Sequence, residues 1–88
     1  MNGERVNKTK IVAKYTMAVT VSMTGLEAHT IRRYEEAGLI SPSRTEGGQR
    51  LYTEIEIESI REISRLGKKG INTEGIKAII AMRKGKQV

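Results

Sequence analysis

Four arginines carry the most suggestive chemistry in the middle of this 88-residue chain. Two lie in the run Ala28-His29-Thr30-Ile31-Arg32-Arg33-Tyr34-Glu35, and Arg44 and Arg50 flank Thr45-Glu46-Gly47-Gly48-Gln49. A guanidinium is a planar fork of donors that fits phosphate oxygens and the major-groove edge of guanine. Between residues 15 and 52 these four arginines are balanced by four glutamates, so any attraction they exert must come from placement rather than bulk charge. The flanks supply the excess. Residues 1 to 14 hold four basic groups against one acidic, residues 53 to 88 hold eight against five, and the whole carries a formal charge of +6. That sign suits a polyanionic partner, although solubility alone also accounts for a moderate positive charge.

Catalysis has little to draw on. The chain has no cysteine, no aspartate and the single histidine His29, so it offers neither a disulfide, a thiolate metal site nor a histidine cluster. It also lacks a glycine-rich phosphate loop and a Ser/His/Asp set. A protein that is not an enzyme and needs no cofactor or metal is expected. No segment approaches the roughly 20 apolar residues of a membrane span, and the polar start Met1-Asn2-Gly3-Glu4-Arg5 is unlike a signal peptide. The expected location is the cytoplasm, away from membranes.

For the arginines to act together, separate elements must carry them. Met17 to Met23 alternates apolar residues and is rich in β-branched ones, which alone argues for a strand. Thr16 as N-cap, Gly25 as a stop and the lack of an adjacent strand partner argue instead for a helix. A second helix is expected over Glu27 to Ala37, with Ile31 and Tyr34 inward and Ala28, His29, Arg32 and Arg33 outward; Gly38 ends it with Leu39 as the following apolar partner. Pro42 then favours an extended connector into a hairpin from Arg44 to Tyr52. Thr53 and Glu56 have capping-box spacing, so a third helix should begin near Glu54 with Ile57, Ile60, Ile63 and Leu66 facing the core. Gly67 to Gly70 is expected to break it, and Asn72 or Thr73 to cap a fourth helix with Ile76, Ile79 and Ile80 inward. Residues 1–14 read as a flexible basic tail, 15–82 as one domain, and 83–88 as a fraying basic tail.

The order of elements is that of a mostly α fold: a winged helix-turn-helix with a small two-stranded β-hairpin wing and a C-terminal helix pair. In such a fold Ala28, His29, Thr30, Arg32 and Arg33 meet base edges and phosphates of double-stranded DNA, while Arg44, Gly48, Gln49 and Arg50 present the wing. Each has a plainer explanation. Arg32 can pair with Glu35 or Glu36, a glycine-tipped hairpin is a common connector, and Tyr34 and Tyr52 serve as readily at the edge of a core as on a phosphate. Lys68 and Lys69, at the turn between the last two helices, suit a backbone contact, though solvated lysines there are commoner. Two other uses remain open from the residues alone: an excisionase-like architectural protein that bends DNA, and a protein-interaction module with an acidic partner.

Over about residues 15 to 82 the chain resembles the MerR family of bacterial transcription regulators. The likeness rests on Tyr15-Thr16-Met17, Gly25-Leu26, His29-Thr30-Ile31-Arg32-Arg33-Tyr34-Glu35-Glu36-Ala37-Gly38-Leu39-Ile40, Arg44 through Tyr52, and Gly70-Ile71-Asn72 through Gly75-Ile76-Lys77. Within the family the wording is similar to the heat-shock-repressor (HspR-like) and nitrogen-regulator (GlnR-like) branches. The resemblance implies a regulator of promoter or operator DNA, a repressor by that kinship, whose second wing is the last helical pair. It implies DNA contacts at His29, Thr30, Arg32, Arg33, Tyr34, Arg44, Arg50 and Tyr52, and a protein co-regulator such as a chaperone or a metabolic enzyme. Sensing members of the family continue into a long dimerisation helix and an effector region that these residues do not contain. A homodimer or DNA-driven oligomer would therefore form through the tail, through cooperativity on DNA, or through residues outside this sequence.

Overall fold

A computed structural model describes residues 12–86. The first helix, α1 (Met17–Thr24), forms despite its β-branched composition because both ends are closed. Thr16 Oγ1 accepts the Val19 amide at 3.3 Å, and Gly25, at φ 75°, returns its amide to Val21 at 2.8 Å. Packing completes the override of local propensity: Thr20 is fully buried, and Met17 and Val21 lie against the core.

The second helix, α2 (Ala28–Glu36), begins at Glu27, whose side chain makes no capping bond. It ends in a Schellman turn: Gly38 sits at φ 80°, its amide bonds Glu35 O, and the Leu39 amide reaches back to Tyr34 O, both at 2.9 Å. Leu39 and Ile40 thereby enter the core. The chain then forms β1 (Ser43–Arg44) and β2 (Arg50–Leu51), antiparallel, with Ser43 opposite Leu51 and Arg44 opposite Arg50. A bridge from Tyr15 to Tyr52 widens this ribbon, with Tyr52 N–H on Tyr15 O at 2.8 Å and the amides of Lys14 and Tyr15 both on Tyr52 O at 3.0 Å. This pairing was not expected from sequence, and it ties Lys14 into the fold rather than leaving it in a tail. Of the expected N-terminal tail, residues 1–11 lie outside the described residues.

The third helix, α3 (Glu54–Lys68), opens on the expected capping box: Thr53 Oγ1 accepts the Glu56 amide, and Glu56 Oε1 accepts the Thr53 amide, each at 3.0 Å. Ile57, Ile60, Ile63 and Leu66 recur on one face and are all buried. The helix ends within the expected stretch Gly67 to Gly70. Gly67 stays helical, since a single glycine costs a helix only about 1 kcal/mol, and the chain turns at Gly70, φ 92°. The fourth helix, α4 (Thr73–Lys86), is capped by Asn72, whose Oδ1 accepts the Gly75 amide at 2.9 Å. Its helical course runs through the residues expected to fray beyond Met82, as far as Lys86, and Arg83 pairs there with Glu62 of α3.

The core is one cluster around α3: Ile31 from α2, Leu39 and Ile40 from the connector, Tyr52 from the hairpin exit, the α3 isoleucines with Leu66, and Ile76 from α4. The buried face of α3 therefore meets every other element, and the orientation of α2 relative to the hairpin is set by what packs on it. Among the described residues no helix is long and apolar enough to cross a membrane.

Truncating this centre has a calculable effect. Ile60→Ala removes a fully buried side chain and should lower unfolding free energy by about 2–5 kcal/mol, read from denaturant titration. Thr53→Ala opens the capping box and should cost about 1 kcal/mol by the same measurement.

Candidate nucleic-acid interface

The exposed side of α2 carries His29, Arg32 and Arg33, with Ala28 and Thr30 half-buried beside them. Among the described residues neither Arg32 nor Arg33 has a carboxylate within ion-pair distance, so the pairing with Glu35 or Glu36 does not form. His29 Nδ1 lies 3.3 Å from Glu27 Oε1, with both groups open to solvent. Ile31 opposite them is completely buried, which fixes the rotation of the helix and hence which residues face out.

Glu35 turns toward the wing instead. Its Oε1 receives Arg50 Nε at 2.6 Å and its Oε2 receives Arg44 Nη2 at 3.1 Å. The hydrogen bond from Arg50, reinforced by its charge and by Arg44, holds the Glu35 carboxyl below its ordinary pKa, against the opposing effect of burial. Arg44 also donates from Nη1 to Gly48 O at 3.1 Å, closing the turn from the outside. Both wing guanidiniums thus contact α2, because strand register and the helix end bring one carboxylate between them.

The hairpin tip keeps its own amides. Gly48, at φ 89°, donates to Thr45 O at 2.9 Å, and Gln49 N–H donates to Thr45 Oγ1 at 3.1 Å. Backbone donors at these two positions are thus occupied within the turn, while the Gln49 side chain remains exposed.

Tyr52 does not serve the surface at all. It is 0 % exposed, its hydroxyl lies 3.9 Å from Met17 Sδ, and burial raises the phenol pKa. An expected phosphate contact at Tyr52 is thereby corrected to a core role, since its backbone pairs with Tyr15 and pulls the ring under the sheet. Tyr34 is half-buried against the same core, beside Thr30 and Arg33 in a groove that also touches the start of α4. Its inward packing agrees with the helical spacing from Ile31.

Lys68 and Lys69 are exposed at the end of α3 and form one wall of a groove whose other wall is Thr24-Gly25-Leu26, the turn leading into α2. Arg61 and Arg65 extend that wall, and sequence reasoning overlooked both. The signal was present, because Arg61, Arg65 and Lys68 recur at helical spacing on the side of α3 away from its isoleucines. Arg61 Nη2 caps Met23 O at 2.9 Å and Arg65 pairs with Glu62. The fold therefore gathers a basic groove next to the beginning of α2 and a wing fastened to its end.

Comparison with known proteins agrees with this geometry. The family model described as MerR HTH family regulatory protein matches residues 15–83. A Streptomyces coelicolor protein described as heat shock protein HspR is 38% identical over 86 residues, covering 93% of this chain and 57% of that protein. The HTH-type transcriptional regulator GlnR of Bacillus cereus is 36% identical over 69 residues, covering 78% of this chain and 54% of its own length. Among solved structures, HiNmlR, a MerR family regulator lacking the sensor domain and bound to promoter DNA, superposes with a TM-score of 0.73 at 27% identity, covering 78% of this chain and 53% of that one. The chain thus spans somewhat over half the length of these relatives. With the family model covering most of its residues and its helices and hairpin in the matching arrangement, the chain belongs to the MerR HTH family of regulatory proteins.

Proposed function

We propose that this chain is a sequence-specific module for double-stranded DNA in a transcriptional regulator, without catalytic activity or cofactor, working in the cytoplasm and acting as a repressor. The observation that carries the reading is the exposed Arg32 and Arg33 pair, without an ion-pair partner among the described residues, on a helix whose opposite face is locked in the core. A regulator of the same family with the same fold is bound to promoter DNA. In this reading Ala28, His29, Thr30, Arg32 and Arg33 enter the major groove, Gln49 and the arginine-braced tip at Gly48 meet the flanking backbone, and Lys68 and Lys69 neutralise phosphates on the other side. Cations at both ends of α2 bracket the helix, as a duplex running across it requires. A homodimer or an oligomer assembled on repeated half-sites would double the contact, and a protein co-regulator, a chaperone or a metabolic enzyme, would modulate it.

Selection from a random duplex pool followed by gel shift tests the reading. Arg33→Ala should weaken binding to the selected sequence by about 1–3 kcal/mol and relax preference at the base pairs it meets, whereas Lys69→Ala should weaken all sequences alike and lower the salt slope by roughly one. Equal binding by parent and Arg33→Ala, or affinity that ignores salt, refutes it. Placed upstream of a reporter, the selected site should reduce expression when the regulator is present; increased expression would reverse the assigned sign.

A further inference from the structure

We propose that Glu35 is the positioning residue of the interface, a latch that holds the wing to α2 through Arg44 and Arg50 so that helix and wing meet a duplex as one surface. The inference rests on the DNA-binding reading above. The hairpin is weak by itself. Each strand contributes only two residues, and register sets Arg44 directly opposite Arg50. A ribbon this short has little stability of its own, and like charges facing each other across a ladder weaken it further. Something outside the hairpin must fix it.

Glu35 answers both needs. Each of its oxygens takes one guanidinium, so the carboxylate lies between two charges that would otherwise repel. From Arg44 the chain of contacts continues to Gly48 O, which carries the constraint from helix to hairpin tip. Arg50 is held by Nε, and among the described residues its terminal nitrogens have no hydrogen-bond partner, which leaves that end of the fork for a phosphate. Glu35 follows Arg32 by three positions on the same helix, so a rotation of α2 moves the base-reading side chains and the wing together. Arg50 and Arg44 act on the carboxylate by direct contact, the buried Tyr52 lies within its field, and Glu36 acts on Arg50 from the same helix.

Electrostatics alone gives the opposite expectation. A carboxylate beside a polyanion repels it, so neutralising Glu35 should strengthen binding if the residue has no positioning role. The sign of the change therefore separates the two accounts. In Glu35→Gln, shape is kept and charge is lost. We expect the parent to show a distinct, slowly exchanging Arg50 Nε–H resonance that moves to the solvent-exposed position in Glu35→Gln and is lost in the parent as pH falls below the usual glutamate value of about 4.3, since a carboxyl whose folded pKa is depressed holds its partners only while ionised. Affinity for the selected duplex should drop roughly tenfold, with a smaller loss on unselected DNA, while the thermal transition persists. Glu35→Asp, which keeps the charge, should recover part of both signals and serves in place of the amide variant should that one unfold. Unchanged or tighter binding with discrimination intact, or an Arg50 signal indifferent to Glu35, overturns the latch. A parent that selects no sequence defeats the DNA-binding reading instead, and the arginine resonance then decides the latch by itself.

Discussion

Register forces two guanidiniums to opposite positions in a hairpin too short to hold itself together, and a single carboxylate at the end of α2 lies between them. Much of the surface geometry follows from that meeting. The carboxylate is available because Gly38 stops α2 immediately beyond Glu36 and Ala37, returning the chain through Leu39 and Ile40 into the core and out again to β1. The strands arrive beside the last turn of the helix they must serve. Partial exposure of all three side chains limits the stabilisation such pairs supply, so their effect is chiefly on orientation.

Orientation also needs a rigid base, and α3 supplies it. Its isoleucines gather Ile31 of α2, Tyr52 and Ile76 of α4 into one cluster, with Met17 and Val21 of α1 packed against it. Tyr52 joins the two systems. Its backbone pairs with Tyr15 across the ribbon while its ring fills the core near Met17, so the hairpin exit cannot shift without disturbing both. Tyr15 adds a tie of its own through a 3.0 Å hydrogen bond to Glu54 at the head of α3.

Most of this was readable wherever one residue type has one conformational use. Thr16, Gly25, Gly38 and the Thr53–Glu56 box marked helix ends because their side chains or positive φ satisfy backbone groups locally. The isoleucine spacing of α3 marked the core for the same reason. What sequence did not disclose is long-range: the bridge from Tyr15 to Tyr52, and the convergence of Arg44 and Arg50 on Glu35, nine and fifteen positions away. Local pattern cannot choose between an arginine aimed at solvent and one aimed at a distant carboxylate. It also offered both fates for Tyr34 and Tyr52, and only packing assigned Tyr52 to the interior. Within the Gly67 to Gly70 stretch that ends α3, Gly67 itself stays helical and the turn is made at Gly70, because glycine permits a break without compelling one.

Charge placement on α3 shows how one set of residues can answer two demands. Glu54 and Glu56 occupy its first turn and Arg65 and Lys68 its last, the distribution that opposes the helix dipole at both ends. That preference alone would collect basic residues at the end of α3. The fold then brings this end alongside Thr24-Gly25-Leu26, the turn that leads into α2, so charge placed for helix stability also becomes positive potential next to the exposed arginines. Arg61 extends the same wall while its guanidinium caps a carbonyl at the end of α1. Glu54, Glu56 and Glu58 lie toward the opposite end, near Tyr15 and Ile55, and Glu62 is neutralised by Arg65 and Arg83, so the basic end suits an anion. A middle segment of zero net charge can therefore lie beside a local cluster of cations, because neighbours in space supply what neighbours in sequence cancel.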